Sequence, residues 1–285
     1  MRPGFSVFVP VHSGVDAAHF ARALDSVVDQ TVVPDEVLVI EDGPLDAGQI
    51  EVLEAFGAAH PGLLRRIAFP VNRGPGAAAA AGILEARNDV VARLDSDDIA
   101  LPHRFETQLR HLEQQRCDVV GASMLEFEGD ESNVVGVRRL PTTHEEIARY
   151  ARTRSPLNQP TVMLRRDAVL AAGNYVELGL VEDYDLWARM LAHGSRMANI
   201  DEPLVLFRCS AAMFARRGGG RHLRAEWLLQ RRLQQYGLIG PVRRWANLVV
   251  RIGFRLLPAR LLRTAYIRIF RSARQGSPAG ASQDP

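Results

Sequence analysis

The sequence predicts an α/β fold: a mostly parallel open sheet flanked by helices, with a basic helical extension at the C-terminus. Three observations point there. Short apolar runs alternate with segments of helical period through the first hundred residues. Each run stops in turn-forming or acidic residues. Beyond about residue 215 the chain becomes arginine-rich and amphipathic.

Taken in order, Phe5–Val9 is an apolar run closed by Pro10, as expected of a parallel strand buried on both faces. Ala17–Val28 places Phe20, Leu24, Val27 and Val28 on one helical face. Val37–Ile40 is a second buried strand, stopped by Glu41-Asp42-Gly43-Pro44. A helix over Gln49–Ala59 and a strand over Arg66–Phe69 follow. The glycine turn Asn72-Arg73-Gly74-Pro75-Gly76 then leads into an alanine-rich helix over Gly76–Ala86, and Asp89–Leu94 is a strand running into Asp95-Ser96-Asp97-Asp98. Further on come a helix over Arg104–Gln115, a strand over Asp118–Ala122 and a hairpin over Met124–Arg139. A capped helix start at Pro141–Glu146, a strand over Pro160–Leu164, helices over Arg166–Ala172 and Glu182–Ala192, and a strand over Asp201–Arg208 complete the core. The β-α-β-α-β-α-β order requires crossovers, hence a parallel sheet.

Composition narrows the classes. With 285 residues, 47% hydrophobic and 24% charged, the chain is globular rather than disordered, collagenous or coiled-coil. Cys117 and Cys209 are too few for a disulfide framework or a zinc site and read as buried small hydrophobes. The eight histidines show no metal-ligand spacing, no signal peptide is evident, and no long uncharged apolar stretch predicts a spanning helix. The net charge of +2 hides a split. Residues 1–215 carry 20 arginines against 31 acids, whereas residues 216–274 carry 15 arginines against Glu226 alone, and lysine is absent.

Open parallel sheets bind ligands at the carboxyl ends of their strands. Both acidic clusters, Glu41-Asp42 and Asp95-Ser96-Asp97-Asp98, fall there. Three carboxylates within four residues repel one another, and a hard divalent cation relieves that repulsion.

The ordered series Phe5–Val11, Val39–Pro44, Asn72–Gly74, Val91–Asp98 and Glu182–Trp187 resembles family 2 glycosyltransferases. Pro102-His103-Arg104-Phe105-Glu106 and Ser155–Met163 narrow the resemblance to bacterial enzymes of exopolysaccharide and lipopolysaccharide assembly. It covers about residues 4–210 and implies an inverting enzyme of the Rossmann-like GT-A fold using a nucleotide-sugar donor. It assigns Asp42 to the uracil N–H, the backbone of Pro10 and Val11 to the face of the base, and Arg73 to the nucleotide phosphates. Asp97 becomes a direct ligand of Mn2+ or Mg2+, Asp95 or Asp98 holds the ribose or a metal-bound water, and Asp183 is the base that deprotonates the acceptor hydroxyl. Glu182 and Asp185 are expected to be structural, and Trp187 to belong to the core. Two departures stand out: Ala80, where many relatives carry Asn, removes a polar contact near the donor site, and Gln159, where many carry His, leaves acceptor identity untransferred.

The expected organisation is a catalytic domain over 1–215, its nucleotide-sugar half about 1–100 and its acceptor half about 101–215. Residues 216–274 follow as a basic lid with amphipathic helices, and 275–285 as a disordered tail. Arg216, Arg217 and Arg221 are expected to close over the diphosphate. Trp245, Leu248, Val249, Ile252 and Leu256 are placed on one helical face and Arg243, Arg244, Arg251 and Arg255 on the other, a pattern of interfacial membrane anchoring at ~1 kcal/mol per basic residue. Packing of these helices on the acidic core is the alternative; no nucleic-acid motif accompanies the charge. The expected function is metal-dependent transfer of a hexose from a UDP-sugar, with dTDP- and GDP-sugars as lesser candidates. The acceptor is a lipid-linked or oligosaccharide precursor of exopolysaccharide, O-antigen or lipopolysaccharide, met at the inner face of the bacterial cell membrane. A nucleotidyltransferase and a non-catalytic membrane scaffold are the competing readings.

Overall fold

The computed structural model describes residues 4–179, 181–209 and 220–255. Strand β1 (Phe5–Val11) sits inside the sheet, with β2 (Glu36–Glu41) and β4 (Val90–Arg93) parallel to it on either side and β3 (Leu64–Ala68) parallel to β2. The parallel pairing follows from the crossovers α1 (Ala17–Val28), α2 (Ala47–Ala59) and α3 (Pro75–Glu85), since a tight turn joins only antiparallel strands.

Beyond β4 the sheet is mixed rather than parallel. Its full order is β3-β2-β1-β4-β8-β6-β9-β5, with β7 on β6. β8 (Met163–Arg165) runs antiparallel to β4 and to β6 (Val119–Phe127), while β9 (Met197–Arg208) is parallel to β6. β7 (Val134–Arg138) returns from β6 as the expected hairpin, and the two-residue β5 (Ile99–Ala100) pairs antiparallel with β9. Only the first half of the chain has the regular strand–helix alternation that enforces parallel pairing.

Side chains of successive strand residues point to opposite faces. Val7, Val9, Val37 and Val39 therefore join α1, α2 and α4 (Arg104–Gln114) in one core, with Phe20, Leu24, Leu53 and Phe105. Phe8, Leu38, Ile40 and Val91 enter the other, with Ile83 of α3 and Leu186 and Trp187 of α7 (Glu182–Ala192). Helix starts are set by caps: Asp16 accepts from the N–H groups of Ala18 (2.9 Å) and His19 (3.1 Å), and Thr143 and Glu146 form a capping box on α5 (His144–Tyr150). α6 (Arg166–Ala171) closes at Gly173, whose φ is 87°. Cys117 and Cys209 are free and buried, as expected.

Two further helices, α8 (Gly220–Gln235) and α9 (Pro241–Arg255), form a hairpin against α7. Ala225, Leu229, Leu233 and Ile239 pack on Val181, Tyr184 and Ala188 in a third cluster. Buried Asp185 binds Arg189 (2.8 Å), Arg232 (3.3 Å) and the Tyr236 hydroxyl (2.9 Å), which is the structural role expected of it.

Candidate active site

The strand order reverses between β1 and β4, and the site grows from the carboxyl ends of β1, β2 and β4 at that switch point. At the end of β2, Glu41 is taken by Arg66 at 2.6 Å, leaving Asp42 to face the glycine turn. The Asp42 carboxylate accepts from the backbone N–H groups of Arg73 (2.6 Å) and Gly74 (3.0 Å), and Asn72 Nδ2 donates to its carbonyl (3.0 Å). This folds the segment before α3 onto β2. Gly43 permits the approach: its φ is 93°, and a Cβ there would lie 2.8 Å from the Asn72 nitrogen.

Val11 is buried, and its carbonyl accepts from the Asp42 N–H at 2.8 Å. Pro10 pairs in register with Ile40. Pro10, Val11, Asp42 and Arg73 thus gather around the carboxyl ends of β1 and β2, with the exposed Arg73 guanidinium 4.9 Å over the Phe69 ring.

The second pole is the loop after β4. Asp95 is half-buried and bound by Arg93 at 2.8 Å; Asp97 is half-buried; Asp98 is fully buried. Asp98 Oδ1 accepts from the Arg208 N–H (2.9 Å), Arg208 Nε donates to the Asp97 carbonyl (3.1 Å), and Asp98 Oδ2 has no hydrogen-bond partner among the described residues. Asp98 therefore ties the loop to the end of β9. Burial, then the neighbouring Asp95 charge, pushes the Asp97 carboxyl up. Asp98 is pushed well up by burial and by Asp97 and Asp95. Beneath them Arg104 is fully buried and donates to the Arg93 carbonyl and to Gln108 (3.0 Å); burial pulls its guanidinium down to about 9 against the attraction of Asp98 and Asp95.

No cluster of three or more His, Cys, Asp or Glu able to hold a metal occurs among the described residues. The loop nevertheless fits a divalent cation of the Mg2+ or Mn2+ kind. Such ions take one or two protein carboxylates and complete their shell with phosphate and water. The carboxyls of Asp97 and Asp98, driven up by burial and by neighbouring carboxylates, Asp95 among them, are the crowded acids that such a cation neutralises.

Asp183 lies in the first turn of α7. The helix terminus favours its charge, but burial dominates and raises its carboxyl; a hydrogen bond from the Tyr184 N–H opposes this, Glu182 adds to it, and Arg93 and Arg138 pull back. Arg93 is the link between the poles. Burial works against its charge, yet Asp95, then Tyr175 and Asp183, hold its guanidinium above the ordinary value. The Tyr175 hydroxyl accepts from Gln159 at 3.3 Å, and burial pushes that phenol up to about 12. Arg93, Arg138, Tyr175 and Arg208 were not singled out from the sequence. A charge inside the apolar run Val90–Leu94 was a usable signal for Arg93; nothing local marks Tyr175.

Glu182 is buried against α3, where a Cβ on Gly76 would lie 2.9 Å from both Glu182 and Glu177. Trp187 is in the core, 6.2 Å edge-on from Tyr175. Arg216 and Arg217 of the expected lid, and the expected tail 275–285, lie outside the described residues; Arg221 enters only as backbone of α8.

A sheet of this order, with an acidic loop after β4 and a carboxylate on the neighbouring helix, defines an α/β enzyme of the GT-A type. The chain belongs to glycosyl transferase family 2, whose model matches residues 6–172. It is 32% identical over 265 residues to the amylovoran biosynthesis glycosyltransferase AmsE of Erwinia amylovora, covering 92% of this chain and 97% of that one. It is 30% identical over 270 residues to the UDP-Gal:alpha-D-GlcNAc-diphosphoundecaprenol beta-1,3-galactosyltransferase of Escherichia coli, covering 94% and 97%. Among solved structures, S. aureus TarS 1–349 in complex with UDP-GlcNAc superposes with a TM-score of 0.66 at 16% identity, covering 94% and 73%. The mannosyltransferase of Pyrobaculum calidifontis in complex with GDP-Man and Mn2+ gives 0.60 at 16%, covering 94% and 81%.

Proposed function

We propose that the protein is an inverting hexosyltransferase that moves a sugar from a UDP-sugar to a lipid-linked, growing cell-surface glycan. One observation carries the reading: a half-buried carboxylate with a raised pKa, Asp183, is joined electrostatically through Arg93 to the acidic loop at the switch point. The E. coli relative acts, by its name, on a diphosphoundecaprenol-linked sugar with UDP-Gal, and the TarS structure holds UDP-GlcNAc. Both support a UDP donor and, for the first, a lipid-linked acceptor in polysaccharide assembly. Such an acceptor puts the reaction at the inner face of the bacterial cell membrane.

In this reading the preset Asp42 carboxylate takes the uracil N–H on a free lone pair, and the backbone of Pro10 and Val11 lines the base. Arg73 meets the diphosphate as a fixed-charge donor, joined by Arg216, Arg217 and Arg221 as a lid. Asp95 takes the ribose; Asp98 positions the loop from beneath. Asp97 would hold Mn2+ or Mg2+, which would supply positive charge against the leaving diphosphate. Asp183 accepts the proton of the acceptor hydroxyl as that oxygen attacks from the side opposite the leaving group, and inversion follows. Residues 1–215 supply the chemistry and 216–274 the lid and the membrane-side attachment.

A donor screen tests the proposal: UDP-sugars are hydrolysed slowly without acceptor and in the presence of Mn2+, ahead of GDP- and dTDP-sugars. Turnover of none of them, with nucleotide binding also absent, leaves the scaffold reading in possession.

A further inference from the structure

A helix packed on a protein in water normally turns its apolar stripe inward. Helix α9 does the reverse. Its inward face is polar: Asn247 donates to the Arg152 carbonyl (2.8 Å) and to Gln230 (2.9 Å), and Arg244 donates to Gln234 (3.2 Å). Arg251 chelates Glu226 (2.7 and 2.6 Å) and reaches the Thr153 carbonyl (2.7 Å), with Leu248, among the described residues, the one large apolar side chain of α9 buried beside them. The outward face carries Val242, Trp245, Val249 and Ile252 at helical spacing, exposed by 83, 60, 71 and 38%, with Val250 alongside at 69%. Leu248 and Arg251 thus lie inward, contrary to the grouping expected from the sequence, and the apolar stripe is left to the outside.

The rim of this face is aromatic and basic. Trp227 is exposed on α8 with Arg231 (5.8 Å) and Arg244 (6.0 Å) over its ring, and Arg244 also lies 5.3 Å from the Trp245 ring. Tryptophan settles at the headgroup level of bilayers, and guanidinium groups bind lipid phosphates. We infer that the outward face of α9, with Trp227 and Trp245 at its rim, docks on an anionic lipid surface. This deepens the lipid-linked reading above by naming the face that meets the membrane.

Charge selects lipid over a second copy of the chain. Residues 216–274 hold 15 arginines and a single acid, Glu226, which is buried and neutralised by Arg251. Two such faces brought together would oppose like charges, whereas an anionic leaflet complements them. Among the described residues no helix is long and apolar enough to cross a membrane, so α9 lies in the interface rather than spanning it.

Co-sedimentation of the full-length chain with mixed phosphatidylcholine–phosphatidylglycerol vesicles, against phosphatidylcholine alone, tests this. The wild type binds the mixed vesicles preferentially and loses binding at high salt. W245S/V249S lowers the partition coefficient roughly tenfold or more, while L84S, at a solvent-exposed leucine on α3 (56%), leaves it unchanged. All three proteins keep the same melting temperature and UDP-sugar hydrolysis. Undiminished vesicle binding by W245S/V249S overturns the inference. So does light scattering that finds a wild-type dimer dissolved by the same substitutions, since a second copy then covers the face. Donor turnover without vesicle binding sinks the docking face alone; vesicle binding without turnover of any donor sinks the transferase reading alone.

Discussion

Asp183 illustrates how a residue's surroundings set its chemistry. A carboxylate at a helix N-terminus is ordinarily more acidic, but here burial wins and the carboxyl is raised. The sign follows. Asp183 stays protonated to higher pH than a free aspartate, so kcat/KM falls on the acid side with an apparent pKa above the ordinary carboxylate value, read from a pH–rate profile. The same shift bears on stability: the folded state keeps a proton that the unfolded chain releases, so stability present below the unfolded pKa is lost as pH rises through the folded pKa, and at neutral pH the buried charge is a cost. Asp183→Asn therefore melts at the same or a higher temperature at neutral pH. Arg93 opposes the rise, so Arg93→Gln moves the acid limb to higher pH, and Arg93→Lys restores part of the shift; an unmoved limb in Arg93→Gln would deny Arg93 its positioning role. The acids themselves were legible, because Asp after a buried strand or at a helix start has few reasons to be there. Arg93, Tyr175 and Arg138 were not, because what brings them to Asp183 is long-range packing that local pattern does not encode.

At the scale of elements, α7 carries Asp183, the proposed base, and is held from behind by α8. Leu229 is fully buried in the cluster joining them. Leu229→Ala is expected to cost about 2–5 kcal/mol in urea unfolding, and to lower transfer more than donor affinity because α7 loses its backing. The helices Ala17–Val28 and Glu182–Ala192 were legible residue for residue: Asp16 and a 3.6-residue apolar period mark the first, and an acid-rich first turn and the stop at His193-Gly194 mark the second. β5 and β8 were harder: two and three residues carry too little pattern, and their places are decided by pairing with β9 and with β4 and β6. The inversion of α9 was hidden for a related reason. An amphipathic pattern states that a helix has two faces, not which one the protein keeps.

For the whole molecule, the division between an acidic amino-terminal region and a basic carboxy-terminal one was legible in the charge count alone. The proposed division of labour follows from it: carboxylates gathered at the acidic loop for a cation, and arginines on the C-terminal helices for a lipid surface. Chelation with EDTA is expected to abolish turnover and Mn2+ or Mg2+ to restore it, while Asp97→Asn raises the metal concentration needed for half-activity by roughly tenfold or more, about 1.4 kcal/mol of lost binding. Undiminished activity in EDTA would remove the cation from the account.

In the proposed mechanism Asp183 does the proton transfer in a site whose donor pocket is built independently by β1, β2 and β4. Single-turnover transfer by Asp183→Asn, measured beside UDP-sugar affinity by calorimetry, tests it most directly. The expected result is a loss of roughly 10²–10⁴-fold in the transfer rate with donor affinity within about twofold of wild type. Full-speed transfer, or a parallel collapse of donor binding, would contradict it.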